Sequence, residues 1–355
     1  PRGASEELTG SGPVPATEAD LTALIAAAKL EGSLTTIGLR HDWCNYGEQI
    51  ETFKRKYAID VSELSPEAGF GDQLTAITAS GDSGGAQAPD VIDVSQAFAV
   101  RAKAQKLIEP YQLSTVASIP AAARDPDGAW YGSHYAVLAF ETNTSKVPDH
   151  PTDWPDLLLP AHRRQVALAG DPQISPQAIA TVYAAALGNG GSVDDAAPGL
   201  AFFKKLDDAG TLLTDIAGTE SIDAGTTPIT VRWTDTALVH RDATGGDPLI
   251  DVTVPTSGRL AGAFAVAISA VAPHPNAARL WLEFLTSDEG QATYLEGHCN
   301  PIRLDDMTAR NIVAADVLAG LPDTSGAIFP TEAQLAKATD VITKGWDKVV
   351  GVSVR

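Results

Sequence analysis

The sequence predicts an α/β fold made of two domains, and three observations lead to that prediction. The chain has 355 residues, which is more than a single hydrophobic core usually serves. Short apolar segments typical of strands alternate with amphipathic segments typical of helices, the pattern of mixed sheets flanked by helices. Strand-like segments near Tyr135 and Ala263 border a central block. That block is therefore expected to be an inserted domain, joined to the other by two crossings.

The individual elements are predicted from apolar spacing and from end signals. The first helix covers 18–30, because Thr17 is a candidate N-cap and Gly32 can end the helix. The other predicted helices cover residues 45–57, 71–80, 176–187, 200–209, 276–285, 288–295 and 332–350. The predicted strands cover residues 33–39, 59–64, 90–94, 135–142, 165–169, 229–233, 252–255 and 263–269. Residues 81–87 are expected to form a loop.

The composition narrows the class of partner. Hydrophobic residues make up 44% of the chain and charged residues 20%, the balance of a globular protein. The formal net charge of -20 repels the phosphates of nucleic acids and anionic membrane surfaces, so neither is an expected partner. The same charge favours a cationic ligand, although it can equally serve solubility alone. No apolar stretch approaches the roughly 20 residues of a membrane span.

The N-terminal segment suggests an exported protein, whereas the two cysteines do not fix the compartment. Residues 1–15 are rich in Gly, Ser, Pro and Thr and are expected to form a flexible leader that remains after an export signal has been removed. The two cysteines, Cys44 and Cys299, permit one disulfide, and the alternative is two buried thiols that never meet.

Five segments carry a resemblance to a known family. They are 36–57 (TIGLRHDWCNYGEQIETFKRKY), 88–98 (APDVIDVSQAF), 128–148 (GAWYGSHYAVLAFETNTSKVP), 151–158 (PTDWPDLL) and 272–303 (APHPNAARLWLEFLTSDEGQATYLEGHCNPIR). In this order and spacing they resemble the type II periplasmic solute-binding proteins of bacterial ABC importers. The similarity is to the branch that includes ferric-ion, polyamine and sugar-phosphate binders, and it extends over nearly the whole chain.

The resemblance implies the architecture and the biological role. The expected fold has two lobes, each a mixed sheet flanked by helices, with a ligand cleft between them. Residues 16–138 and 259–305 would form lobe 1, and residues 139–258 and 306–355 would form lobe 2. The expected protein is a monomer without a cofactor that closes on its ligand at a hinge and delivers it to a membrane permease and its ATPase subunit. It would be periplasmic, or lipid-anchored on the outer face of the cytoplasmic membrane.

The candidate ligand contacts lie where strands end and helices begin, since open α/β sheets bind ligands there. The alternative for each is a structural role as a helix cap, a turn residue or a core aromatic. The candidates are Asp42, Trp43, Asn45, Tyr46, Ser95, Gln96, Tyr135, Asp171, Gln173, Thr226, Thr227, Trp233 and Asp235.

The leading ligand class is a polyamine or another small amine. Trp233 beside Asp235 offers an aromatic face and a carboxylate, which together hold an ammonium group, and the family's polyamine binders similarly place an aromatic residue there. A phosphorylated or carboxylated ligand is the alternative, held by Thr226, Thr227 and helix N-termini. Iron fits poorly because the sequence lacks the adjacent tyrosines of ferric binders, and the His spacing indicates no metal site.

An enzyme on the same fold is the rival from another class. Thiaminase-like proteins resemble these binders and carry a nucleophilic Cys, and Cys44 lies in a loop where such a group could act, with His41 nearby in sequence. A bond between Cys44 and Cys299 would prevent that chemistry. A binder that feeds a sensor rather than a permease remains a further alternative.

Overall fold

The computed structural model describes residues 17–81, 85 and 88–355. Its α-helices are Glu18–Glu31 (α1), Tyr46–Tyr57 (α2), Phe70–Ala79 (α3), Gln96–Ala104 (α4), Pro176–Gly188 (α5), Ala197–Asp208 (α6), Thr219–Ala224 (α7), Thr234–Thr244 (α8), Pro275–Thr286 (α9), Asp288–Glu296 (α10), Leu304–Ala309 (α11), Ala315–Gly320 (α12) and Glu332–Val349 (α13). Short 3-10 helices cover Val116–Ser118, Ala121–Ala123, Trp154–Leu158 and Pro160–His162. The predicted leader, 1–15, lies outside the described residues.

The strands form a mixed α/β fold with these helices, as the sequence predicts. They are Ser33–Ile37 (β1), Asp60–Leu64 (β2), Val91–Ser95 (β3), Ile108–Glu109 (β4), Tyr131–Asn143 (β5), Ile229–Trp233 (β6), Ile250–Thr253 (β7), Ala261–Ser269 (β8) and Asn300–Pro301 (β9). Every residue of β5 is buried, which explains why its sequence lacks the alternation of a half-exposed strand.

The first compact unit consists of the described residues up to Asp42 together with Tyr46–Ser133 and Ala265–Gln291. Within it β1 and β2 pair in parallel along their whole length, and β4 pairs with the end of β8 in antiparallel orientation. Its core is a cluster of buried side chains that includes Ile37, Leu74, Ile92, Val94 and Trp130. Polar side chains at the ends of these strands are thereby held on a rigid support.

The second compact unit consists of Trp43–Asn45, His134–Phe264 and Ala292–Arg355. Within it β5 is the central strand and pairs in antiparallel orientation with β6, β7 and β9. Its core is larger and rich in aromatic side chains, among them Phe140, Trp154, Phe202, Phe203 and Trp346. The C-terminal helix α13 supplies Trp346 to this core and so closes the unit.

These units differ in their bounds from the predicted lobes. Residues 292–305 belong to the second unit, whereas the sequence places them in lobe 1. The reason is strand pairing, because Asn300 of β9 lies opposite Tyr135 of β5. Residues 43–45 also belong to the second unit, since Cys44 is bonded to Cys299.

Two further differences concern individual elements. The strand predicted at 165–169 is wrong as a continuous element, because its pairing is limited to isolated bridges from Val166 to Leu212 and to Ile229. The second difference is that helices α4 and α8 are absent from the predicted helices. They begin directly where β3 and β6 end, at Gln96 and Thr234. In the part of the chain that the structure describes, no helix is both long enough and apolar enough to cross a membrane.

Candidate functional site

A buried carboxylate in the second unit lies beside a tryptophan. Asp235 is the second residue of α8 and is 8% exposed. Its Oδ2 accepts a hydrogen bond of 3.2 Å from Trp43 Nε1, and its Oδ1 is buried without a hydrogen-bond partner. Burial raises the pKa of Asp235, while the neighbouring Thr236 amide and the Trp43 indole act in the opposite direction. An acceptor that lacks a partner in a buried place is costly and requires an explanation.

Partly buried aromatic rings form a row along one face of β8. The Trp233 indole lies close to Gly262, since a Cβ there would be 3.1 Å from Trp233 Cη2. Phe264 is two residues further along β8 and therefore points to the same face. The Trp43 ring meets Phe264 with centroids 4.9 Å apart and planes 73° apart. We call Trp43, Trp233 and Phe264 the aromatic row.

His134 supports this row from the interior. Its imidazole stacks on Phe264 at 4.7 Å and on Tyr294 at 4.7 Å, and Trp43 contacts it edge-on at 5.1 Å. Burial lowers the pKa of His134 to about 3, so the imidazole is neutral at physiological pH. The neutral imidazole therefore helps to fix the aromatic row in place.

Trp43 is held in position by its own neighbours in the chain. Cys44 and Cys299 form a disulfide, with Cα atoms 5.4 Å apart. Both Cys44 and Asn45 have positive φ angles, 48° and 60°. Gly297 allows this segment to approach closely, because a Cβ at Gly297 would lie 2.6 Å from Asn45 N. The bridge also corrects the thiaminase-like alternative, since a bonded Cys44 has no thiolate with which to attack.

The first unit contains a second buried carboxylate, Asp93 on β3. Tyr46 OH donates a short hydrogen bond to Asp93 Oδ2, and Ser133 Oγ lies 3.5 Å from the same atom. The Gln73 side chain holds the backbone of Asp93: its Nε2 donates to the Asp93 carbonyl at 2.9 Å, and its Oε1 accepts from the Asp93 N–H at 3.1 Å. Burial raises the pKa of Asp93 to about 7. Its side chain contacts hydroxyl groups, and its backbone is held by the Gln73 amide.

The other candidates from the first unit have local roles. Asp42 is exposed and pairs with Arg40, and this hydrogen bond lowers the pKa of Asp42. Gln96 Nε2 donates to the Ala122 carbonyl at 2.9 Å. Ser95 occupies the N-cap position of α4 without a side-chain capping bond.

The remaining candidates from the second unit are engaged with other groups. Tyr135 OH and Thr324 Oγ1 are 3.0 Å apart. Asp171 Oδ1 accepts from the Gln173 amide at 2.9 Å. The other side-chain contacts are Gln173 Nε2 to Asp347, Thr226 Oγ1 to the Ser221 carbonyl, Thr227 Oγ1 to Ser221 Oγ, and Asn45 Nδ2 to the Thr293 carbonyl. None of these contacts joins them to Asp235.

Sequence reasoning missed Gly262, Phe264 and His134. The signal for the first two is present in AGAFAVAIS, where a glycine inside a strand marks the close approach of another group and a single Phe alternates with small residues. The role of His134 depends on long-range packing and has no local signal.

One group of side chains has metal-ligand chemistry among the residues that the structure describes. The donor atoms of Cys44, His134 and Cys299 all lie within 4.8 Å of one another. Because the two sulfur atoms are bonded to each other, the group offers one imidazole nitrogen rather than a set of ligands.

A buried ion network in the second unit is structural. Arg232 Nη1 lies 3.0 Å from Glu141 Oε2, and His240 lies between Glu141 and Asp223 with contacts of 2.5 and 2.9 Å. Glu141 is fully buried, so these partners compensate a charge that could not stay in the core alone. The network joins β5, β6, α7 and α8.

The sequence matches a known family over most of its length. The profile described as bacterial extracellular solute-binding protein matches residues 86–336, more than half of the chain. No curated protein sequence matches the chain.

Solved structures share the fold. An ABC transporter substrate-binding protein from Bradyrhizobium japonicum USDA 110 has a TM-score of 0.70 at 16% identity, over 90% of this chain and 99% of that one. Iron-bound HitA from Pseudomonas aeruginosa has a TM-score of 0.62 at 18% identity, over 90% and 99%. AfuA from Actinobacillus pleuropneumoniae, with fructose-6-phosphate bound, has a TM-score of 0.62 at 17% identity, over 90% and 98%. At these identities the likeness establishes the fold and leaves the ligand open.

Proposed function

Because the chain belongs to the family of bacterial extracellular solute-binding proteins, we propose that it is the solute-binding subunit of an ABC importer and that its solute is a small organic cation. The family binds solutes rather than transforming them, so the protein is not an enzyme. The proposal includes capture by hinge closure and delivery to a membrane permease that a separate ATPase subunit drives.

The observation that carries the choice of ligand is Asp235 beside the aromatic row. The carboxylate is buried, with one oxygen held by the Trp43 indole and the other without a partner. A cation placed over the partly buried faces of Trp43 and Trp233 gains cation–π attraction, which is about 2 kcal/mol or more when the site is desolvated. It also compensates the charge of the ionised Asp235, which within the described residues has no basic side chain among its hydrogen-bond partners.

The alternative, a phosphorylated or carboxylated ligand, has weaker support in the side chains predicted for it. Thr226 Oγ1 donates to the Ser221 carbonyl, and Thr227 is 1% exposed and bonded to Ser221 Oγ. An anion close to Asp235 would gain no charge attraction from this residue, and it would be repelled whenever the carboxyl group is ionised. The chain's net charge of -20 acts in the same direction through its long-range field.

Thermal unfolding in the presence of three groups of compounds tests the proposal. Amines and other organic cations should raise the unfolding temperature, because a ligand at a hundred times its Kd adds about 2.7 kcal/mol of stability. Sugar phosphates and organic acids should not.

The matched variants are Asp235→Asn and, as a control for the change in net charge, Asp208→Asn on the exposed side of α6. The first should abolish most of the shift caused by cations and the second should preserve it. Stabilisation by anions alone would refute the cationic ligand while leaving the importer role intact.

A further inference from the structure

Independently of the proposed function, we propose that the second unit contains a metal site that binds a zinc ion when the Cys44–Cys299 bridge is reduced. The ligands are the two thiolates and one imidazole nitrogen of His134. In the bridged protein the donor atoms of these three side chains already lie within 4.8 Å of one another. Ligands around a tetrahedral zinc ion are separated by roughly 3–4 Å, so small shifts of the side chains bring the three donors into position.

The backbone keeps two of the donors together without the bridge. His134 lies on β5, where it is the partner of Pro301 in the antiparallel pairing with β9. Cys299 immediately precedes β9. This pairing consists of backbone contacts and does not depend on the sulfur atoms. Reduction therefore leaves Cys299 close to His134.

The third donor, Cys44, stays within reach through the contacts of its own segment. Its neighbour Trp43 contacts the His134 ring edge-on, with centroids 5.1 Å apart. Gly297 allows the backbone of Cys44 to come close, because a Cβ at Gly297 would lie 2.6 Å from the Cys44 carbonyl carbon. The segment is thus held by packing as well as by the bridge.

The donor set and its burial favour zinc over a hard cation. Thiolate and imidazole ligands suit zinc, whereas Mg²⁺ and Ca²⁺ require oxygen ligands. Cys44, Cys299 and His134 are each at most 2% exposed, so an uncompensated charge among them would be costly. Two thiolates and one divalent ion sum to zero charge. A coordinating histidine uses one ring nitrogen, so the other nitrogen keeps its own partner, and a water molecule takes the fourth position of the ion.

Reduction of the bridge is the step that supplies the ligands. A dithiol transfers two electrons and two protons to the S–S bond and is itself oxidised to a disulfide. The zinc ion then displaces the two thiol protons, because the thiolate is the form that binds a metal. Exchange with a disulfide oxidant rebuilds the bridge and releases the ion. Zinc binding is thereby coupled to the redox state of the surroundings.

Zinc titration of the reduced and the oxidised protein tests the inference. A phosphine opens the bridge and takes up one oxygen atom from water, and competition with a chromophoric chelator then measures the affinity for zinc. The reduced protein should bind one ion tightly, whereas the oxidised protein should bind none at this site. If the reduced chain has unfolded, zinc should refold it, because the binding free energy is then folding free energy.

Two histidine variants show which imidazole is the ligand. His134→Phe removes the nitrogen and keeps an aromatic ring, and its reduced form should lose more than about 100-fold in zinc affinity, since loss of an outer partner of a ligand alone costs about 10–100-fold. His298→Asn is the matched control. His298 is adjacent to Cys299 in the chain, its Nε2 lies 2.9 Å from Asp242 Oδ2, and Asn tolerates its positive φ of 63°. This variant should bind zinc as the wild type does.

Three results would overturn the proposed zinc site. Equal affinity in the oxidised protein would assign the ion to another part of the chain. Undiminished affinity in reduced His134→Phe would show that this imidazole is not a ligand. Failure of the reduced wild type to bind zinc, or to refold with it, would refute the site altogether. None of these results bears on the organic cation, which is tested on the oxidised protein.

Discussion

Asp93 in the first unit and Asp235 in the second are both buried carboxylates with one oxygen that has no hydrogen-bond partner. Asp93 is surrounded by hydroxyl groups of Tyr46 and Ser133 and by Gln73, which fixes its backbone. Asp235 has an indole N–H as its partner and lies next to aromatic rings that are only partly buried. The comparison teaches that burial of a carboxylate does not by itself identify a ligand site. An adjacent surface that a ligand can occupy is also needed.

Removal of the Cys44–Cys299 disulfide should have the largest effect on folding stability. It should disturb the surroundings of Asp235 rather than those of Asp93. Cys44→Ser with Cys299→Ser opens a link between residues 255 apart, and such a loss costs about 2–5 kcal/mol of folding free energy. Trp43 should then become more mobile and leave Asp235. Four of the six tryptophans are buried, so acrylamide quenching of fluorescence reports mainly on Trp43 and Trp233.

Combining Trp43→Phe with Cys44→Ser and Cys299→Ser shows whether the change in quenching comes from Trp43. Quenching should increase when the bridge is removed, and this increase should disappear in the background that lacks Trp43. An increase that persists without Trp43 would show that the bridge positions some other part of the unit.

The pH dependence of stability should change when Asp93 is replaced. Its pKa is raised by burial from 3.8 to about 7, so the stabilising contribution of the neutral form is complete below pH 4 and is lost as the pH rises through 7. The difference corresponds to on the order of 4 kcal/mol. Asp93→Asn should remove this decline, and denaturant unfolding between pH 4 and 8 measures it. A wild-type stability that rises over this interval while the variant's stays flat would contradict the structural role of Asp93.

The affinity for a cation should depend on pH through Asp235. Burial raises the pKa of Asp235, and a bound cation favours the ionised carboxylate. Binding should therefore release a proton and weaken as the pH falls into the range where Asp235 is protonated. Titration calorimetry in two buffers of different ionisation enthalpy detects the proton. Asp235→Asn should bind weakly at every pH, and an unchanged pH dependence in this variant would assign the proton to another group.

Adding a methyl group next to the Trp233 indole should have the smallest effect, and this effect should be on cation affinity. Gly262→Ala places a Cβ 3.1 Å from Trp233 Cη2, so the ring has to shift by a few tenths of an ångström. Cation affinity should decrease about two- to fivefold, because cation–π attraction depends on ring position. Gly320→Ala is the matched control, since nothing lies within 4 Å of a Cβ there. Unchanged affinity in Gly262→Ala would argue against a role for Trp233.

The sequence predicts most helices and strands because their apolar spacing and end signals are local, as in α13 with its Thr331 cap. It also indicates Trp43, Trp233 and Asp235 as candidates because each lies near the end of a strand. It does not place Trp43 beside Asp235, which are 192 residues apart in the chain and assigned by sequence to different lobes. That contact depends on the disulfide and on the left-handed backbone at Cys44 and Asn45, neither of which a local pattern specifies.

The central claim is tested most directly by titrating one quaternary cation, choline, into the wild-type protein, Asp93→Asn and Asp235→Asn. The two substitutions make the same chemical change, from carboxyl to amide, at two buried sites. We predict that Asp93→Asn binds choline as the wild type does and that Asp235→Asn loses about 10- to 100-fold in affinity, the effect expected when a charged partner is removed. Equal losses in both variants, or choline binding that survives in Asp235→Asn, would contradict the account.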